Sequence, residues 1–176
     1  GATPSDGTTY RRVDRSGGNL VRSPHEKQFS KLETPTAMKI LVPVVGFGKE
    51  GGYRVLSRLA SMWSIAGHAV DFLVDGRATT PYFPTAATIR RYSTDGTILD
   101  GPPPAVSGFD SSGNSAGIYM GMWRALEKIG HAYDVILANY SLTSFPIALS
   151  RTRHAAKFYY VQAYEPEYFS AQSGQR

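Results

Sequence analysis

The chain has 176 residues, 41% hydrophobic and 12% aromatic, with 18 glycines, 11 prolines, no cysteine and a formal net charge of +5. That supplies one sizeable core, sets the chain apart from polar, highly charged disordered sequences, and excludes disulfides, thiolate nucleophiles and zinc–thiolate centres. The modest positive charge favours nucleotides, phosphates or an acidic lipid surface as partners, but no basic run with interleaved aromatics points to nucleic acid.

Residues 1–37 are polar, mix Ser, Thr, Gly and Pro with charges of both signs, and show no periodicity, so they read as an arm or tail. The organised domain is expected over residues 38–176. From Met38 onward, apolar runs alternate with helical patterns, which defines an α/β domain built on a parallel sheet flanked by helices. Lys39 to Val45 reads as the first buried strand, although Pro43 removes one ladder donor. A glycine-rich loop, Gly46 to Gly52, leads into a helix whose Val55, Leu59, Met62, Trp63 and Ala66 form an expected core stripe, stopped by Gly67-His68.

Ala69 to Val74 is the second strand, ending at Asp75-Gly76-Arg77, and Ile89 to Tyr92 is a weaker third. A Pro- and Gly-punctuated segment, Gly101 to Asn114, is longer than a routine connection. Ser115 is placed to cap a helix whose Ile118, Met122, Leu126 and Ile129 share one face. Asp134 to Ala138 is a strand, Asn139-Tyr140-Ser141 a polar turn, Pro146 to Arg151 a short helix, and Lys157 to Gln162 a last strand. The expected total is about five strands, all parallel. No run approaches the roughly 20 apolar residues that cross a bilayer. The opening GATPSDGTTYRR lacks the apolar core of a secretory signal, so a cytoplasmic location is expected.

Ligands of open parallel sheets bind beyond the carboxyl ends of the strands, which selects the segments Gly46–Gly52, Asp75–Arg77, Asn139–Thr143 and Gln162–Glu165. The first contains a literal G-x-G-x-x-G at Gly46, Gly48 and Gly51, where backbone N–H groups and a helix N-terminus can receive an anion. With Asp75 ending the second strand and Arg77 beside it, one reading is the NAD(P)-binding domain of a dehydrogenase. The competing bland reading is a loop whose glycines merely turn the chain.

The run Gly51-Gly52-Tyr53-Arg54-Val55-Leu56-Ser57-Arg58-Leu59-Ala60 with Gly67-His68-Ala69-Val70 resembles the amino-terminal half of GT-B glycosyltransferases of the family-4 kind. Tyr159-Tyr160-Val161-Gln162-Ala163-Tyr164-Glu165-Pro166 is similar to a strand and turn found in some nucleotide-sugar transferases of that fold, polysaccharide rhamnosyltransferases among them. The two together cover residues 38–169. The resemblance implies a Rossmann-like domain that forms one half of a two-domain GT-B enzyme and holds the acceptor, while a second domain holds the donor. No pair of glutamates separated by seven residues, the donor-side signature of retaining members, occurs, so the carboxyl-terminal donor domain is expected to be absent and the chain inactive alone.

The implied activity is hexosyl or deoxyhexosyl transfer from a nucleotide-sugar to a glycan or lipid-linked saccharide, with peripheral association at the inner face of a membrane. No cofactor is expected beyond the nucleotide-sugar co-substrate, and no Asp-x-Asp or histidine cluster offers a metal handle. Where many relatives carry a histidine, this chain reads Leu137-Ala138-Asn139-Tyr140, so the resemblance leaves that catalytic or sugar-contacting role to Asn139 or to no residue at all. Gly48, Gly51, Gly52 and Tyr53 are candidate backbone contacts to phosphate or sugar oxygens. Asn139, Tyr140 and Gln162 are candidate hydroxyl-binding groups, against the alternative of turn formation or capping. Tyr164 is placed to stack on a sugar face, against plain packing, and Glu165, before Pro166, is a candidate base, against a solvated turn carboxylate. A non-catalytic carbohydrate-binding module is the third reading.

Overall fold

The computed structural model describes residues 36–101 and 115–162. In chain order these form β1 (Lys39–Pro43), α1 (Gly51–Ile65), β2 (Ala69–Asp75), β3 (Thr88–Tyr92), β4 (Ile98–Leu99), α2 (Ser115–Ile129), a 3-10 turn (Gly130–Ala132), β5 (Val135–Ala138), α3 (Ser141–Leu149) and β6 (Ala156–Tyr159). The strands form one sheet in the order β4-β3-β2-β1-β5-β6. Every pairing is parallel except β3 with β4. The chain therefore winds outward from β1 to β3, then crosses back to lay β5 on the other side of β1, the arrangement of a Rossmann-like α/β fold.

The two central strands are buried on both faces, and their alternation divides the core into two layers. Ile40, Val42, Val70, Phe72 and Val74 face α1 through Leu56 and Ala60, while Leu41, Leu73 and Ile136 meet Met122, Leu126 and Ile147 of α2 and α3. Each fully buried aliphatic side chain of this kind contributes about 1.5–3 kcal/mol relative to exposure. Two buried carboxylates interrupt the apolar pattern of β2, Asp75 at its end and Asp71 within it; Asp71 accepts from Arg90 Nε of β3 and from the Tyr133 phenol at 2.5 Å. Burial, then that bond to Asp71, push the Tyr133 phenol well above its ordinary range.

Three sequence expectations need correction. The α1 stripe is turned: Leu56, Ser57 and Ala60 are buried, while Val55 and Met62 are exposed and Leu59 and Trp63 are half-buried. Small side chains at Ser57 and Ala60 put the helix backbone against β1 and β2, so the contacting face follows volume as well as apolarity. The last helix begins at Ser141 rather than at Pro146, because Thr143 tightens the turn through its N–H (3.0 Å) and hydroxyl (2.7 Å), both donating to the Tyr140 carbonyl. The sheet also holds an antiparallel strand, β4, whose two residues are too short to show any period.

The reversal before β4 is built by Asp95 and Gly96. Asp95 accepts from the Ser93 hydroxyl, from the Thr97 hydroxyl at 2.7 Å and from the Thr97 N–H at 3.3 Å, and these bonds hold its carboxyl well below the usual range. Gly96 has φ +77°, and a Cβ there would stand 2.6 Å from the Ala125 backbone nitrogen of α2. Gly96→Ala is therefore expected to lower stability by more than ~1 kcal/mol, read as a reduced urea midpoint with unchanged m-value. An unchanged midpoint would mean that α2 is not packed on this turn.

Candidate functional site

A cleft of about 540 Å³ opens beyond the carboxyl ends of β1, β5 and β6. It lies where the sheet order reverses, between the outward path β1-β2-β3 and the return path β5-β6. Its walls are the first turn of α1, the β5–α3 junction at Asn139 and Tyr140, and the chain leaving β6 at Tyr160, Val161 and Gln162. The amino termini of α1 and α3 both open onto it, so the positive ends of two helix dipoles face one space.

The floor is fixed by a proline. Pro43 cannot donate toward β5, and the β1–β5 register ends at Leu41–Ile136 while the β1–β2 register runs on through Pro43–Leu73. Asn139 bridges the gap, its Nδ2 donating to the Pro43 carbonyl at 2.6 Å. Its amide nitrogen is thereby committed and the residue is buried, which makes Asn139 a positioning group. An amide is no base at neutral pH, so what Asn139 can offer a ligand is hydrogen bonding rather than proton transfer.

The glycine loop is pinned from inside. The Phe47 ring packs edge-on against Phe72 at 5.7 Å and Tyr53 at 6.5 Å between centroids, so the loop folds over β2. Gly52 makes room for Gln162: a Cβ there would overlap the Gln162 side-chain oxygen, whereas a Cβ on Gly51 would meet nothing within 4 Å. Gly48 is not among the residues lining the cleft, and a Cβ on it would overlap the Glu50 carboxylate. The Tyr53 N–H donates to the Glu50 carbonyl at 3.1 Å, so of the expected backbone donors Tyr53 contributes its side chain instead.

The structure thus gathers Gly51, Gly52, Tyr53, Asn139, Tyr140 and Gln162 around one space and sets Gly48 behind it. Tyr164 and Glu165 lie outside the described residues. Sequence reasoning passed over Glu50 and Tyr160. Glu50 is the one carboxylate among the lining residues; it stands at the α1 N-cap but makes no side-chain cap bond, and its signal was its place inside the glycine motif. Burial, followed by the charge of Glu50 and the dipole of Tyr140, raises the Tyr53 phenol, opposed by the Gly46 backbone. Tyr119 of α2 joins this group: burial, then Tyr140 and Tyr53, push it up to about 12.

The groups proposed for other chemistry stand apart. Asp75 binds Arg77 three ways, accepting from its N–H and Nε at 2.9 and 2.8 Å through Oδ1 and from a terminal nitrogen at 3.1 Å through Oδ2. That pair lines a separate cavity of about 570 Å³ near β3 and β4. His68 is no mere helix-end charge, since its Nδ1 accepts from the Met38 N–H at 3.1 Å. Among the described residues no three His, Asp or Glu side chains are grouped to hold a metal ion, and no helix is long and apolar enough to cross a membrane.

The architecture is that of an α/β Rossmann-like domain with a cleft at its topological switch point. No protein-family model and no curated protein matches the chain.

Two outcomes follow from this geometry. Gly52→Val is expected to displace the Gln162 side chain from α1, with stability changed by under ~1 kcal/mol in urea unfolding; a Gln162 left in place in the structure of the variant would show that the two do not meet. The raised phenols predict an alkaline limit. The unfolded chain ionises Tyr119 near its ordinary 10.0 while the folded chain holds the proton to about 12, so stability is full below pH 10.0 and falls as pH rises toward 12. Tyr119→Phe should flatten that slope in urea titrations at stepped pH, and an identical slope would show that burial on α2 does not hold the Tyr119 proton.

Proposed function

We propose that this chain is the acceptor-side domain of a GT-B glycosyltransferase, acting with a donor-side domain to move a sugar from a nucleotide-sugar to a glycan or lipid-linked saccharide. The observation that carries the reading is the single cleft shared by Gly52, Asn139, Gln162 and Glu50 at the sheet's switch point. Its phenols and amides match the donor-and-acceptor surface of a saccharide, and its two helix N-termini suit an anionic leaving group approaching from above. The Gly51-Gly52 and Gly67-His68 resemblance adds the family-level support.

In this reading Glu50 takes the proton of the acceptor hydroxyl while that oxygen bonds to the anomeric carbon and the nucleotide departs with the electrons of the broken bond. Tyr53, Tyr140 and Gln162 orient the acceptor, and Asn139 keeps the floor in place through Pro43. The dehydrogenase alternative needs Asp75 at the same cavity as the glycine loop; here Asp75 is occupied by Arg77 and lines a different cavity. A non-catalytic carbohydrate-binding module would use the same cleft without Glu50.

Titration of NADH and NADPH, followed by energy transfer from Trp63 and Trp123, separates the first two readings. No saturable binding is expected, and micromolar binding would overturn the proposal in favour of a dinucleotide site. Glu50→Gln in the enzyme joined to its donor domain is expected to lower transfer by on the order of 100-fold with acceptor affinity retained. Unchanged transfer would sink Glu50 as the proton acceptor.

A further inference from the structure

The cavity of about 570 Å³ beyond the carboxyl ends of β2 and β3 shares no lining residue with the cleft. Asp75, Gly76, Arg77, Arg91, Leu99 and Asp100 are among its walls, so it gathers two cations from the ends of neighbouring strands. The β2–β3 ladder stands between the two arginines. Asp75 pairs with Tyr92, and the Gly76 N–H donates to the Tyr92 carbonyl at 2.7 Å, which carries the ladder one residue further. A Cβ on Gly76 would stand 2.5 Å from Leu99 Cδ1 and 3.1 Å from the Tyr92 carbonyl oxygen, so glycine lets β4 close on this wall.

Both guanidinium groups are set in place by the chain itself. Asp75, whose side chain is 5% exposed, accepts from Nε and a terminal nitrogen of Arg77, while the Arg77 side chain stays 60% exposed. The fork is thereby fixed on its inner edge and accessible on its outer one. A terminal nitrogen of Arg91 donates to the Gly101 carbonyl at 2.6 Å, and Arg91 forms no ion pair among the described residues. These bonds use only part of each guanidinium, which carries five N–H donors. Both Asp75 oxygens are committed to Arg77, so the acid that a ligand can reach is the exposed Asp100. A carboxylate is satisfied by one arginine fork, whereas two forks suit the several oxygens of a phosphate. The volume exceeds what a single ion fills, and Leu99 gives the remainder an apolar side.

We infer that this cavity binds a small phosphate monoester, with Arg77 and Arg91 on the phosphate oxygens and Leu99 against the body of the ligand. Asp75 is the positioning residue that holds the Arg77 fork. Neither Glu50 nor the glycine loop takes part, since both belong to the other cavity. Success or failure here therefore leaves the reading of the cleft untouched.

The test is a titration of the full chain with inorganic phosphate and with glucose 1-phosphate, followed by nuclear magnetic resonance of arginine Nε–H and backbone amide groups. Saturable shifts are expected at Arg77, Arg91 and Gly76, with the ester binding more tightly than the free ion and both weakening as salt is raised. Arg77→Gln and Arg91→Gln are each expected to lower affinity by about tenfold or more. Arg77→Gln leaves Asp75 buried without its partner; Arg91→Gln releases only a backbone carbonyl, so it carries the test even where the first variant unfolds. Asp100→Asn is expected to raise affinity severalfold by removing the reachable like charge. No saturable shift up to tens of millimolar of either ligand would overturn the inference. So would undiminished binding in folded Arg91→Gln, shifts confined to Gly51, Gly52 and Tyr140 at the cleft, or acetate binding as tightly as phosphate.

Discussion

The hydrogen bond from Asn139 Nδ2 to the Pro43 carbonyl holds together the two strands on either side of the switch point. A sheet that reverses its winding separates its crossovers there, and the space left between them is where a ligand can enter. Here the ladder at that point is broken by a proline, so the last backbone pairing between β1 and β5 is replaced by a side chain. The replacement turns the chain sharply into α3 and sets Tyr140 at the helix N-terminus. The same residue that closes the sheet therefore shapes the cleft, and the cleft's floor is as rigid as the central core beneath it.

Much of this was legible because strands and helices in an α/β chain alternate with strong periodicity, and the end of a buried strand is easy to read. Asn139, Tyr140, Gln162 and the α1 glycines lie in segments that rule selects, and they converge on one cavity, while Asp75–Arg77, selected by the same rule, line another. What escaped was set by volume, length or local hydrogen bonding. The true face of α1 depends on how closely Ser57 and Ala60 let the helix approach the sheet, which no apolar stripe records. The strand β4 depends on a two-residue pairing, though Asp95-Gly96 was the turn signal that announced it. Glu50 was hidden inside a motif read only for its glycines; it lines the cleft from the α1 N-cap with its carboxylate packed against Gly48.

The electrostatics of the cleft reinforce its polarity without giving it a fixed charge. Tyr53, Tyr119 and Tyr140 lie near enough to influence one another, and burial holds the Tyr53 and Tyr119 phenols protonated further into the alkaline range than a free tyrosine. Neutral phenols donate and accept, which suits hydroxyl-rich ligands, whereas an ionised phenol beside Glu50 would repel both its neighbour and an anionic leaving group. Glu50 is thus the single carboxylate among the cleft's lining residues, set against two helix N-termini whose positive ends favour anionic charge.

Burial falls from the centre of the sheet to its edge, and the two walls of the cleft inherit that difference. Asn139 and the start of α1 rest on β1 and β2, whose side chains are almost wholly enclosed, while all four residues of β6 are exposed. Tyr160 keeps a backbone bond to Ala138 at 2.8 Å, but Val161 and Gln162 extend beyond the ladder. Segments with few buried contacts open at lower free energy than the core that supports them. The wall carrying Gln162 is accordingly the less firmly supported of the two, and it meets the core-backed wall at Gly52. A glycine at that meeting point is what allows the two walls to approach without a side chain between them.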